Sequence, residues 1–201
     1  MDKFKDKYRI ASHRKPNWDY SADAFYFLTI VTQNRECNLG KILNANGSAV
    51  CQLSDFGEIV KDEWFKSFEI GNELILHEFI LMPNHLHTIV EIYNPNRHEE
   101  THGHVETHGR VSLPIEPIEP ELLSIKRNPP LRLPKSISSF IAGFKSAVNS
   151  KIDDHIDEYQ LPMPKYNRSN HFFQPNYHDH IIRNDDEYQN ISNYIINNPK
   201  N

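Results

Sequence analysis

Met82-Pro83-Asn84-His85-Leu86-His87-Thr88-Ile89-Val90 places two imidazoles one residue apart at the head of an apolar, β-branched run. Such a run reads as a strand. Side chains alternate across a strand, so His85 and His87 share one face while Leu86 points into a core on the other. The histidine face is then half of a metal site. The spacing alone fits an exposed or structural pair equally well, because the chain holds 12 histidines.

The flanking sequence supplies neighbours for this strand. Residues 74–82 read as the strand before it, with Pro83-Asn84 as a tight link or bulge, and the histidine strand itself extends over 85–93. An aromatic and β-branched run at 25–32 reads as a first strand, and 177–182 as a fourth. A hairpin-like stretch around Asn44-Ala45-Asn46-Gly47-Ser48 leads into a helix near 55–68, with Phe56, Ile59, Val60, Trp64 and Phe68 at helical spacing. A second helix at about 135–153 carries Ile137, Phe140, Ile141, Phe144, Val148 and Ile152 on its core face. The expected class is α+β: an antiparallel sheet of four to five strands, helices packed on one face, and a helix at the C-terminal end.

That last helix has a start and a stop. Asn184 is a natural N-cap, Glu187 can reach back in capping-box fashion, Asp185 and Asp186 sit at the positive end of the dipole, and Pro199 prevents continuation. Tyr188, Ile191 and Ile195 form its apolar stripe, with Tyr194 and Asn198 four residues apart along the stripe's edge. Those two fit a nucleophile and a metal ligand. They fit a half-buried core tyrosine and a C-terminal cap as well.

Composition bounds the function classes. A chain of 201 residues is most simply one domain, here 1–201, large enough for a core without staples. Two cysteines, Cys37 and Cys51, have neither metal-ligand spacing nor the density of a secreted scaffold, which suits a reducing cytoplasm. The charged N-terminus is unlike a signal peptide, and no segment approaches the ~20 apolar residues of a membrane helix. A net charge of −5 weighs against a general polyanion binder. Distribution offsets this: Lys3, Lys5, Lys7, Arg9, Arg14 and Lys15 form a basic arm within residues 1–16, and Lys126, Arg127, Arg132, Lys135 and Lys145 form a second cluster. Short basic runs are also ordinary solvated faces. Between 94 and 134 prolines crowd and apolar periodicity disappears, while Glu100-Thr101-His102-Gly103-His104-Val105 is nearly repeated by Glu106-Thr107-His108-Gly109-Arg110-Val111. This reads as a flexible insertion, its histidines excluded from the site.

In combination these blocks resemble the HUH single-strand endonucleases, and the chain as a whole resembles the REP-associated tyrosine transposases. The resemblance rests on Asn17-Trp18-Asp19-Tyr20-Ser21 leading into Phe25–Thr32, on Met82-Pro83-Asn84-His85-Leu86-His87, on Gly143-Phe144-Lys145-Ser146-Ala147-Val148, and on Tyr177-His178-Asp179-His180-Ile181-Ile182-Arg183-Asn184 followed by Tyr194-Ile195-Ile196-Asn197-Asn198-Pro199. Phe173-Gln174 departs from the Trp-Gln expected there, and the chain stops at Asn201 where relatives continue past the tyrosine helix. The resemblance implies a ferredoxin-like HUH fold, with Tyr194 as nucleophile and His85, His87 and Asn198 holding a divalent metal, Mg²⁺ or Mn²⁺. It implies recognition of single-stranded DNA hairpins of repetitive palindromic elements, with cleavage and rejoining beside them through a 5′-phosphotyrosine, by a monomer or homodimer.

Tyr177 is the rival nucleophile, although alternation puts it with Asp179 on one face and His178 with His180 on the other. Arg183 fits either a phosphate contact or an ordinary salt bridge, and the basic arm with Lys145 completes the expected DNA contacts. Two other readings stay open: a binding protein for repeat hairpins that does not cut, and a metal-dependent phosphoesterase without a covalent step.

Overall fold

The computed structural model describes residues 15, 18–45, 48–69, 73–93, 136–167 and 169–198, with the backbone of two short strands, β1 (Lys3–Phe4) and β2 (Lys7–Tyr8). The side chains of the basic arm before Lys15 and the whole 94–134 insertion lie outside the described residues. From residue 24 the order is β3 (Ala24–Val31), a hairpin of β4 (Gly40–Ala45) and β5 (Ser48–Leu53), α1 (Asp55–Lys66), β6 (Leu74–Met82), β7 (His85–Ile92), α2 (Ile137–Glu158), β8 (His178–Ile182) and α3 (Asp185–Asn197). Strands β6-β7-β3-β8 make one sheet in that order, with every neighbour antiparallel. This is the split βαββαβ order of the ferredoxin-like fold, with β4–β5 inserted after its first strand and α3 added at its end.

Strand alternation decides what each face of the sheet carries. Tyr26, Leu28 and Ile30 of β3, with Leu86, Val90 and Ile92 of β7, are buried in one cluster with Val60 and Trp64 of α1 and Ile137, Ile141, Phe144, Val148, Ile152 and Ile156 of α2. Phe25, Phe27 and Ile89 face the other way and pack with Tyr188, Ile191 and Ile195 of α3. Two helices therefore cover one face, and the tyrosine helix covers the histidine face. At 22 residues α2 runs past the expected end at 153, because Ile156 prolongs its buried stripe. Its start is fixed by Ser136 and Ser139, whose side chains and amides bond reciprocally.

Pro83-Asn84 makes the tight turn between β6 and β7, with Met82 paired to His85. The bulge lies elsewhere. Register slips between Leu76 and Glu78, so His77 is the extra residue of β6 and both His77 and Glu78 reach the α3 side. Phe173, at the departure from Trp-Gln, is buried against Phe144 and Phe172 and bridges to Thr32, so the smaller ring still fills the site.

Gly57 shows how closely the hairpin meets α1. Its amide donates to the Ser54 cap at 3.1 Å, and a Cβ there would overlap the Leu39 carbonyl, which itself accepts from the Ser54 amide at 3.0 Å. Gly57→Ala is expected to cost about 1–3 kcal/mol despite alanine's better helix propensity. A urea midpoint equal to or above that of the parent would contradict this.

Candidate active site

The site begins with how β7 aims two rings. His85 and His87 lie on the α3 face, 4.5 Å apart between ring centroids and inclined at 70°. Each is held through Nδ1. Asn84 Oδ1 lies 2.7 Å from His85 Nδ1, and the same amide donates from Nδ2 to the Arg35 carbonyl at 3.2 Å. The carbonyl fixes which way the amide points, so Oδ1 accepts, His85 Nδ1 donates, and His85 Nε2 keeps its lone pair. Thr29 Oγ1 lies 2.8 Å from His87 Nδ1 and holds the orientation of the second ring. Orientation of a histidine through its other nitrogen is the usual support of a metal ligand.

Burial keeps both rings neutral, the state that ligates. His87 is 7% exposed, and its pKa falls from 6.5 to about 4 through burial first and the neighbouring His85 second. His85 is also lowered, by burial and then by the Arg35 guanidinium. Because the unfolded chain still protonates near 6.5, the neutral His87 contributes its stability in full above that pH and loses it as pH falls to about 4. The contribution is about 3 kcal/mol. Without metal, wild type minus His87→Leu should therefore show a stability difference that shrinks by about this amount from pH 7 to pH 4. A flat difference would contradict a buried neutral His87.

Helix α3 delivers Tyr194 to this pair. The Asn184 side chain accepts from the Glu187 amide at 2.8 Å, as expected of an N-cap. Glu187 reaches one residue further back than a capping box requires, to the Arg183 amide at 2.8 Å, and its other oxygen holds His180 at 2.7 Å. Ser192 donates to Glu78 at 2.8 Å, and Tyr188 meets His77 at 3.3 Å. With the helix anchored so, the Tyr194 hydroxyl lies 3.3 Å from His87 Nε2 of the same chain, its ring edge-on to Phe27. Tyr194 as a residue is 46% exposed. Asn198 is buried one turn later, at the C-cap.

Among the described residues no three His, Cys, Asp or Glu side chains converge as a metal site. The residues that could donate to a metal here are His85 and His87 through Nε2, with the Asn198 amide oxygen as a candidate third. Two oriented, neutral imidazoles suit a divalent ion, so the residues present fit the group.

Over 198 residues the chain is 30% identical to an uncharacterized protein of Haemophilus influenzae, spanning 96% of this chain and 92% of that one. The chain belongs to the same family as that protein. No family model matches the sequence. Among solved structures, the chain is similar to a REP-associated tyrosine transposase bound to a REP hairpin, with a TM-score of 0.49 and 14% identity over 100% of this chain and 73% of that one. No helix among the described residues is long and apolar enough to cross a membrane.

The other sequence-derived candidates take different places in this family member. Tyr177 lies on the far face and meets Ser138 at 3.3 Å, and Asp179 accepts from Tyr20 at 2.6 Å. Burial and that carboxylate push the Tyr20 phenol up to about 12. Lys145 donates to the carbonyls of Gln174, Pro175 and Asn176, which ties α2 to the segment before β8. Lys15 lies over the Trp18 ring at 4.7 Å. Arg183 is exposed on the wall of a cleft beside Phe25, His77 and Tyr188. Sequence reasoning missed Thr29 and the orienting role of Asn84. Neither carries a local signal, since Thr29 becomes a partner of His87 only through strand pairing.

Proposed function

We propose that this chain is a single-strand DNA endonuclease and strand transferase of the transposase class, which cuts and rejoins beside hairpins using Tyr194. The observation that carries the reading is the contact of Tyr194 with His87 Nε2, in a pair whose other nitrogens are both committed to orienting partners. A phenol beside two oriented imidazoles is the set of parts that attack on a phosphodiester requires. The hairpin specificity comes from the sequence blocks that resemble the REP-associated transposases.

In the proposed step the Tyr194 oxygen bonds to phosphorus and gives up its proton, while the P–O3′ bond breaks and the 3′ oxygen takes up a proton. The products are a 5′-phosphotyrosine and a free 3′-OH. No ATP is needed to rejoin, because the linkage to Tyr194 retains the phosphodiester energy. His85, His87 and Asn198 would hold a divalent cation, Mg²⁺ or Mn²⁺, which supplies charge neutralisation at the phosphate. Thr29 and Asn84, through the two Nδ1 atoms, would hold the rings in place for that role. Phe27 confines the Tyr194 ring, so the phenol loses little freedom when substrate arrives.

End-labelled single-stranded hairpins from palindromic repeats, incubated with Mg²⁺, Mn²⁺ or EDTA, test this directly. Wild type is expected to give a metal-dependent covalent adduct and a free 3′-OH fragment, and Tyr194→Phe neither. Binding without cleavage would favour a hairpin-binding protein. Cleavage that survives Tyr194→Phe would favour a metal-dependent phosphoesterase.

A further inference from the structure

After β3 the chain turns at Thr32-Gln33-Asn34-Arg35, a short 3-10 segment in which Asn34 and Arg35 both have left-handed backbone, at φ 55° and 60°. Asparagine tolerates that region. Arginine rarely adopts it, and a residue held there needs surroundings that fix it. Two hydrogen bonds supply them: the Arg35 amide donates to the Thr32 carbonyl at 3.1 Å, and its carbonyl accepts from Asn84, the residue that orients His85. These two hydrogen bonds hold the strained Arg35 backbone in place, near enough for its charge to act on His85. Its side chain is exposed and, among the described residues, in no ion pair.

Arg35 stands on the wall of a cleft of about 500 Å³ with Gln33, Asn34, Asn176, Tyr177 and His178. Among the described residues no carboxylate lines this cleft. It adjoins the site through the sheet: Val31, also in its wall, pairs with His85, and His178 pairs with Thr29, which holds His87. A guanidinium binds phosphate bidentately, side-chain amides read base edges, and aromatic rings stack on unpaired bases. With Arg35 as the one cation and no carboxylate among the described lining residues, the cleft offsets the chain's net charge of −5 locally.

We propose that Arg35 is a phosphate-binding positioning residue, and that this cleft takes the single-stranded nucleotide adjoining the phosphate at the histidine pair. This rests on the DNA-processing reading above. Within it, Arg35 acts by fixing the strand's register against Tyr194 and takes no part in proton or group transfer.

The full chain and its Arg35→Gly and Arg35→Lys variants, tested with the labelled hairpin oligonucleotide, decide the matter. Adduct formation at subsaturating DNA should fall about 10- to 100-fold in Arg35→Gly, with partial recovery in Arg35→Lys. Glycine relieves the left-handed backbone, so the melting temperature of Arg35→Gly should be unchanged or higher, opposite to a merely structural role. The same variants in a Tyr194→Phe background report binding alone by fluorescence anisotropy. There the plot of log affinity against log salt should lose roughly 0.7 of its slope with Arg35→Gly, one phosphate contact on a single strand. Arg35→Gly with parental adduct yield and salt slope would overturn the inference while leaving the catalytic reading intact. So would a loss of activity that tracks a lower melting temperature. A wild type that forms no adduct would instead remove the catalytic reading, and the salt slope would still decide for or against Arg35 as a phosphate contact.

Discussion

His87→Ala is expected to lower strand cleavage on the order of 10²–10³-fold or more, the scale on which a single preorganised group at the reacting charge acts. The expectation follows from what converges on this ring. Its Nδ1 is taken by Thr29 at 2.8 Å, its Nε2 faces the Tyr194 hydroxyl at 3.3 Å, and its ring centroid lies 5.3 Å from that of Phe27. Thr29→Val provides a graded companion. It leaves Nε2 in the site but frees the ring to rotate and to change tautomer, which typically weakens metal affinity about 10- to 100-fold. Excess Mn²⁺ should then restore much of the Thr29→Val activity and little of the His87→Ala activity. Single-turnover rates across a metal titration distinguish the two. Equal rescue of both variants would mean that His87 does not ligate.

Trp64→Ala should cost about 3–5 kcal/mol of folding stability, the range for removal of a large buried aromatic side chain. Trp64 is fully buried and meets four rings, Phe68, Phe79, Phe140 and Phe144, at centroid distances from 4.9 to 6.0 Å. These come from the turn just after α1, from β6 and from α2, so the indole of α1 is the common wall of two helices and the sheet. Its Nε1 is buried with no hydrogen-bond partner among the described residues, so Trp64→Phe loses packing without losing one of their hydrogen bonds and should cost clearly less. Against a typical total of about 5–15 kcal/mol, the alanine change brings the protein near its unfolding threshold. Urea denaturation monitored by circular dichroism reads both variants. A loss under 1 kcal/mol for Trp64→Ala would contradict the packing described here.

The helices were legible because their buried faces recur at helical spacing. Trp64 with Val60, and Ile141 with Phe144 and Val148, stand at positions that only a core-facing stripe explains. The placement of His85 and His87 on one face likewise follows from strand alternation, and α3 from the Asn184 cap and the stripe of Tyr188, Ile191 and Ile195. What stayed illegible depends on pairing across long sequence separations. The bulge that turns both His77 and Glu78 toward α3 is a register event between β6 and β7, and no residue in Leu76-His77-Glu78 announces it. Thr29 meets His87 from 58 positions away, and Arg35, in a left-handed turn built from non-glycine residues, is tied to His85 through the Asn84 side chain. Lys145 shows the converse: a cation read from sequence as a DNA contact that also bonds three carbonyls of its own chain.

The most direct test of the central claim is to trap the DNA adduct with a labelled hairpin oligonucleotide and Mn²⁺, digest the protein, and map the nucleotide-bearing peptide by mass spectrometry. The nucleotide mass should sit on Tyr194 and be absent from EDTA controls. A modified Tyr177, or cleavage with no peptide modified at all, would contradict the assignment of Tyr194 as the nucleophile.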